Sequence, residues 1–145
     1  MIILRELINK LCKKYYTTNP IELAKCLNIN VIFEELGTIN GYYNTAFRQK
    51  FIHINSNLEE HKQKFTIAHE LGHAILHPKA NTPFLRENTL FSIDKLEVEA
   101  NLFAVNLLIS DEDLKEYQDF TINQLSSIFG VHQKLIELRL KSNLP

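Results

Sequence analysis

Several residue types are scarce in this chain, and each shortage excludes a class of protein. The 145 residues include two cysteines, four glycines, four prolines and no tryptophan. The two cysteines, Cys12 and Cys26, form neither a CxxC motif nor a disulfide framework, and no glycine-rich linker divides the chain. We therefore expect a cytoplasmic protein with reduced thiols.

Excess charge and long apolar runs are also missing. The formal net charge of −1 gives no overall electrostatic attraction for nucleic acid. No run reaches the ~18 to 20 apolar residues of a membrane span. The apolar N-terminus is interrupted by Arg5, Glu6 and Lys10, which predicts an amphipathic helix rather than a signal peptide. The length suits one domain with a single core.

The apolar periodicity predicts an α+β fold. After a helix that opens at Asn19-Pro20, residues 31–36 read as a strand and residues 41–57 as a hairpin. An active-site helix is expected over about 57–77 and a second buried helix over about 95–109. We predict a single domain, 1–145. Its core, 1–110, combines helices with a small antiparallel sheet, and its C-terminal subdomain, 111–145, holds a helix-turn-helix-like pair around Gly130.

The stretch FTIAHELGHAILHP, residues 65–78, contains three of the six histidines. On a helix His69 and His73 share one face, about 6 Å apart along the axis, and can converge on one zinc ion. Glu70 lies about 100° around the helix, where it can reach a water as general base. The alternative is a buried helix whose histidines are bonded to the backbone.

A catalytic zinc usually has a third protein ligand. His77 lies about 12 Å along the helix axis from His69, too far for one ion. Of two glutamates on the next helix, Glu97 is already placed to complete a capping box with Asp94. Glu99 has no such local role and enters an apolar segment, where an unpaired carboxylate is costly. Glu99 is therefore the expected ligand, with an exposed Glu99 on a frayed first turn as the alternative.

The segments KFTIAHELGHAILH and EVEANLFAVNLLIS resemble the ImmA/IrrE family of metallo-endopeptidases, and the similarity extends over most of the chain. The resemblance implies that His69, His73 and Glu99 bind Zn²⁺ and that Glu70 is the general base. It also implies a protein substrate, a helix-turn-helix repressor whose cleavage releases phage or mobile-element genes. Manganese or iron also suits such ligands.

Other residues of a peptidase site are less well defined by the sequence. Some glutamate-zincins place a carboxylate four residues after the ligand glutamate, where this chain has Phe103. The group that orients a ligand histidine is therefore open between Asn101, Asn106 and the backbone.

Oxyanion stabilisation is equally open. Tyr42, Tyr43 and His53 are candidates, although each is more often a packing residue. An edge of their hairpin could align an extended substrate.

Two rival functions remain open. The C-terminal pair could bind DNA, but its second helix mixes Lys134, Arg139 and Lys141 with Glu137 and supplies no dense basic face, so direct nucleic-acid binding is not expected. The other rival is a metal-sensing module that binds its partner without proteolytic turnover.

Overall fold

The computed structural model describes residues 2–80, 84–86 and 91–142, and within them it has the α+β class that the sequence predicts. No helix in those ranges is long and apolar enough to cross a membrane. The elements in chain order are α1 (Ile2–Tyr15), α2 (Pro20–Cys26), β1 (Ile29–Glu34), β2 (Gly41–Ala46), β3 (Gln49–Asn55), α3 (Glu60–Leu76), α4 (Lys95–Leu108), α5 (Asp111–Glu116), α6 (Ile122–Phe129) and α7 (Gln133–Lys141).

The three strands form a mixed sheet in the order β1-β3-β2, so the antiparallel sheet expected from the sequence is wrong in one respect. β2 and β3 form the predicted antiparallel hairpin, whereas β1 pairs with β3 in parallel. β3 is central because it carries Ile52 and Ile54, which are completely buried. The two strands of a hairpin run in opposite directions, so the strand that β1 joins decides whether the pairing is parallel or antiparallel. No local signal in β1 indicates which of the two strands it joins.

Helices α3 and α4 form the centre of the molecule. From Phe65 to Ala74, every residue of α3 is buried. The two helices approach closely at Gly72, where an added Cβ would lie 3.1 Å from the Cβ of Phe103. Phe103 is itself completely buried. A carboxylate at position 103 would therefore face the backbone of α3 in an apolar contact, which explains why this chain has none there.

Both central helices agree with their predicted ranges within a few residues. α3 begins at Glu60 rather than near residue 57, because Glu59 has an extended conformation with ψ 152°. α4 ends at Leu108, since Ile109 is extended. α2 begins at Pro20 with Asn19 as its cap, as expected.

The C-terminal residues form α5 and then the predicted pair of helices around Gly130. Gly130 ends α6 in the left-handed conformation, with φ 65°, which favours glycine. Leu125, Leu135 and Ile136 are buried in the same hydrophobic cluster as Ala104 of α4. Whether 111–145 forms a subdomain of its own stays a prediction.

Candidate metal centre

His69-Glu70-Leu71-Gly72-His73 form an HExxH segment, and its two histidines lie inside the molecule on one face of α3. His69 and His73 are completely buried, and their ring centroids are 4.9 Å apart with the planes almost perpendicular. Both rings direct Nε2 toward α4. The segment is therefore part of a buried polar cluster, and its histidines bond to side chains rather than to the backbone.

Glu97 of α4 completes this cluster. Its Oε2 lies 3.0 Å from Nε2 of His69, and its Oε1 lies 3.0 Å from Nε2 of His73. The Glu97 side chain is only 1% exposed. One carboxylate thus contacts both imidazoles at Nε2, the atom through which each ring would bind a shared metal ion.

The sequence favours Glu99 as the third ligand, whereas the carboxylate that contacts both rings in the structure belongs to Glu97. The Glu99 side chain is 40% exposed and contacts Nε2 of His77 at 3.3 Å. The sequence also predicts that Glu97 completes a capping box with Asp94, and only half of that box forms. Asp94 accepts the N–H groups of Leu96 and Glu97, but its own N–H donates to Ser92. The Glu97 side chain is therefore not needed at the cap and turns inward.

The environment of Glu97 favours its charged form. Burial alone raises the pKa of this carboxyl, but hydrogen bonds from His69 and His73 outweigh that effect and lower its pKa to about 2. Glu97 is thus an anion held between two imidazoles, which is the protonation state that metal binding requires.

Glu70 is the second carboxylate near the imidazoles, and its surroundings differ. Atoms of His69, Glu70 and His73 able to ligate a metal lie within 4.8 Å of one another. Within the described residues neither carboxylate oxygen of Glu70 has a hydrogen-bond partner, although both are buried. Burial raises the pKa of Glu70 to about 8, the charge of His73 opposes that rise and the charge of Glu97 adds to it. A buried, unpartnered carboxyl is costly unless a ligand uses it.

The other ring nitrogens of the two histidines also have partners. Nδ1 of His69 lies 2.8 Å from Oδ1 of Asn101, so Asn101 is the side chain that orients this ring. Nδ1 of His73 lies 3.0 Å from Nδ1 of His77. Asn106 instead donates to the backbone oxygen of Leu102. The sequence left the choice open, because only the packing of α4 on α3 decides it.

The hairpin residues proposed for the oxyanion lie elsewhere. Tyr42 stacks on His53 at 4.1 Å, and His53 bonds to Glu34 and Asn44. Because side chains alternate along a strand, this pair projects from the sheet face opposite to buried Ile52. Tyr43 lies on the core face, where its hydroxyl donates to the carbonyl of Pro78 at 2.9 Å. In the described ranges none of these three hydrogen-bonds to the imidazoles or stacks on them, and their oxyanion role stays a prediction.

The outer edge of β2 lies over α3, and its first residues are paired. The Asn40 N–H donates to the carbonyl of Leu85 at 2.7 Å, and the Leu85 N–H donates to Gly41 at 2.8 Å. An added Cβ on Gly41 would lie 2.6 Å from Thr66 of α3, which shows how closely β2 approaches this helix. An extended substrate at this point of the edge would have to displace residue 85.

A groove of about 910 Å³ opens beside the cluster, between α3 and the C-terminal pair. Phe65 lines the groove and packs on the His69 ring at a centroid distance of 6.0 Å. The groove thus comes within one helical turn of the buried imidazoles. Its other walls include Thr66, Leu85, Phe91, Val131 and Leu135.

The fold and the buried HExxH cluster are typical of a metallopeptidase, and comparison with known proteins gives the family. The family model of the IrrE N-terminal-like domain, peptidase family M78, matches residues 24–141. The chain belongs to this family, which confirms the resemblance found in its sequence.

Two relatives place the chain more closely. It is 48% identical over 145 residues to the uncharacterized immunity region protein 2 of Bacillus phage phi105, an alignment that covers 98% of this chain and 92% of the relative. It is 34% identical over 139 residues to the metallopeptidase ImmA of Bacillus subtilis (strain 168), covering 92% of this chain and 81% of ImmA. The chain is thus of the ImmA type.

Proposed function

We propose that this protein is a zinc-dependent endopeptidase in which His69, His73 and Glu97 hold the metal and Glu70 is the general base. The observation that carries the proposal is the contact of one buried carboxylate with Nε2 of both motif histidines. The unpartnered carboxyl of Glu70 supports it, because a buried acid without a hydrogen bond is poised for a group that arrives later.

The residues fit a zinc ion. Ligands at about 2.0 to 2.1 Å from a tetrahedral zinc lie roughly 3.3 Å from one another. The nitrogen–oxygen distances in the cluster are 3.0 Å, so a small adjustment opens the space. Two imidazoles and one carboxylate, with a position left for water, are a donor set typical of catalytic zinc. Zinc is therefore the metal we expect, and iron or manganese is left to the metal analysis.

Each residue has a chemical role in peptide hydrolysis. When bound, zinc supplies a Lewis acid that polarises the scissile carbonyl and lowers the pKa of water to about 7. Glu70 removes the proton from the attacking water and delivers it to the leaving amine. A nearby cation favours the ionised carboxylate that this role requires, against the burial that raises its pKa. Glu97 and Asn101 keep the two rings in place.

The proposed substrate is a helix-turn-helix repressor of a phage or mobile element, which would place the reaction in the cytoplasm. This part of the proposal follows from the family resemblance and from the relationship to a phage immunity-region protein and to ImmA. The groove between α3 and the C-terminal pair supports it, since a volume of about 910 Å³ can hold a short peptide segment.

The DNA-binding alternative has less support once side chains are considered. Arg139, one of three basic residues counted on α7, is 2% exposed and donates to the carbonyl of Ile109 and to Asp111. Lys134 and Lys141 are exposed. Two lysines make a weak electrostatic surface for a duplex.

The test combines metal content with cleavage. Wild type and Glu70→Gln are purified and analysed for metal, then incubated with the repressor encoded beside the gene. We expect about one zinc per chain in both proteins and cleavage by wild type only, since general-base loss costs about 10²- to 10⁴-fold in rate.

Other outcomes separate the rivals. Equal cleavage by Glu70→Gln would refute the assigned base. A wild type that binds zinc and repressor without ever cutting it would be a metal sensor. A folded wild type that takes up no zinc would remove the metal centre altogether.

A further inference from the structure

His77 and Glu99 form a second polar pair directly behind the proposed zinc ligand His73. Nδ1 of His77 lies 3.0 Å from Nδ1 of His73, and Nε2 of His77 lies 3.3 Å from Oε1 of Glu99. The His77 side chain is 8% exposed and that of Glu99 40%. A continuous line of contacts therefore runs from Glu97 through His73 and His77 to Glu99 near the surface.

The end of α3 puts His77 in this position. His77 is the C-cap residue, with φ −131° and ψ 52°, and its N–H donates to the carbonyl of His73 at 2.7 Å. The turn at the helix end brings the His77 ring to a centroid distance of 5.2 Å from the His73 ring. On a straight helix His77 is too far from His69 to bind the same metal ion. It does contact His73, which is close enough to share that ion with His69.

A metal ion on His73 would fix where each proton sits. Without a metal, the Nε2–H of His73 can donate to the Glu97 carboxylate at 3.0 Å. A metal bound at Nε2 needs the lone pair of that nitrogen, so the ring proton then lies on Nδ1. That N–H can only donate to a His77 Nδ1 that carries no proton, which places the His77 proton on Nε2. The His77 Nε2–H then donates to the Glu99 carboxylate, which accepts only. Glu99 thus selects the tautomer of His77, and His77 selects that of His73.

The other ligand histidine is oriented by a different group. Nδ1 of His69 meets the amide oxygen of Asn101 at 2.8 Å, and Asn101 is 3% exposed. One imidazole is therefore held by a single buried amide, whereas the other is held by a histidine and a half-exposed carboxylate. His77 and Glu99 are not among the proposed metal ligands, and holding the second imidazole gives both of them a role.

We propose that His77 and Glu99 are positioning residues that hold His73 in its metal-binding tautomer and orientation, an inference that rests on the proposed zinc site. Groups that hydrogen-bond to a ligand histidine strengthen metal binding about 10- to 100-fold. A purely structural role is the competing explanation, in which His77 and Glu99 join the end of α3 to α4 without affecting the metal.

The experiment measures the Zn²⁺ affinity of the metal-free full-length chain by competition with a chromogenic chelator. The variants are His77→Phe, which removes the acceptor, His77→Asn, whose amide oxygen can stand at the place of Nδ1, and Glu99→Ala. His61→Asn is the matched control. His61 pairs with a glutamate, Glu59, at 3.3 Å, but it lies in the first turn of α3, about 12 Å along the helix axis before His69 and at the end opposite to His77.

We expect His77→Phe to weaken zinc binding about 10- to 100-fold and Glu99→Ala about tenfold. His77→Asn should recover most of the affinity, because it would copy the way Asn101 holds His69. The visible spectrum of the Co²⁺-loaded chain should change in His77→Phe and stay like wild type in His77→Asn and in the control. Circular dichroism and thermal unfolding of the metal-free variants check the fold.

The outcomes distinguish this inference from the proposed function. If wild type binds zinc tightly and His77→Phe binds it equally well with an unchanged Co²⁺ spectrum, the positioning role is wrong and the zinc site stands. Equal loss in His77→Asn and His77→Phe, with a wild-type spectrum in both, would also overturn it in favour of packing. If His77→Phe does not fold, the comparison of His77→Asn with Glu99→Ala takes its place. A Zn²⁺ affinity of Glu99→Ala equal to that of wild type would then overturn the positioning role. A folded wild type without zinc affinity overturns both proposals.

Discussion

The α3–α4 interface and the α6–α7 pair use polar residues in opposite ways. Between α3 and α4 the polar side chains are inside: His69, Glu70 and His73 are completely buried, and Glu97 is 1% exposed. In the C-terminal pair, apart from buried Arg139, polar side chains cap the helices. Thr121 and Gln124 form a reciprocal capping box at the start of α6, and His132 caps α7.

The difference indicates which region carries chemistry. A capping residue satisfies backbone groups that every helix leaves open, so its presence needs no further explanation. A buried ionisable cluster is costly, and the cost is repaid only by complete pairing or by a ligand. Glu70 is not paired in the described residues. The unpartnered Glu70 therefore favours the α3–α4 interface as the functional region, and the C-terminal pair forms one wall of the groove beside it.

The largest effect on zinc affinity should appear when the two glutamates of α4 are substituted one at a time. Glu97→Ala removes a proposed ligand and should lower zinc affinity by more than about 100-fold, beyond the range of changes in surrounding groups. Glu99→Ala should keep about one zinc per chain at saturating metal. Metal analysis and chelator competition measure both. Retention of tight binding by Glu97→Ala, with loss in Glu99→Ala, would restore the ligand predicted from the sequence.

The next effect concerns the pH dependence of the metal-free protein. The pKa of Glu70 is 4.5 in an unfolded reference and about 8 in the folded chain. Between these values the folded state binds more protons than the unfolded state, so stability falls as pH rises from about 4.5 toward 8. The fall should be on the order of a few kcal/mol.

Glu70→Gln isolates this effect, because the amide cannot ionise. Denaturant unfolding in a chelator at pH 5.5 and pH 8 should show a smaller loss in the variant than in wild type. Glu97, with a pKa lowered to about 2, contributes a pH slope only below about 4.5, where its stabilisation is lost as pH falls. Parallel pH slopes in the two proteins would mean that Glu70 is not the buried acid described above.

Arg139 is a buried charged residue outside the α3–α4 cluster, and a variant at this position shows whether such a residue affects stability alone. It is 2% exposed and donates to Ile109 and to Asp111. Removing it in Arg139→Met should cost about 1 to 3 kcal/mol of unfolding free energy, less than for a fully buried pair because Asp111 is half exposed. Zinc affinity should not change. A parallel loss of zinc affinity in a folded variant would make Arg139 part of the functional region.

The smallest effect should come from a cap of the C-terminal pair. Thr121→Ala removes the side chain that accepts the Gln124 N–H and should cost about 1 kcal/mol. Thr121→Ser, which keeps the hydroxyl, is the control. Thermal unfolding measures the cost. Equal melting temperatures for the alanine and serine variants would show that the box adds nothing to stability.

Much of the local structure was predictable. The sequence predicts the α+β class, a helix through the HExxH segment, a buried second helix and a break at Gly130, and the structure has each of these elements. These features depend on residues within one or two turns of each other. The direction of β1 against β3 was not predictable, because it depends on which edge of a distant hairpin the strand meets.

The residues of the candidate site were likewise predictable only where local rules apply. The capping rule correctly identified Asp94 as the start of α4, but it also assigned the Glu97 side chain to that cap. The Ser92 hydroxyl takes that place, and no pattern in the sequence weighs one acceptor against the other. A signal was nevertheless present, because Glu97 and Asn101 are four residues apart and lie on one face of α4, as His69 and His73 do on α3.

Helical periodicity is enough to place His69, Glu70 and His73 in one cluster, since it fixes the relation of residues three and four apart. The contacts of Glu97 with the imidazoles and of Glu99 with His77 arise only when α4 packs on α3. The two glutamates lie about 200° apart on α4. Their roles therefore depend on the rotation of α4 against α3, which is set by packing contacts such as Phe103 on Gly72 rather than by any local rule.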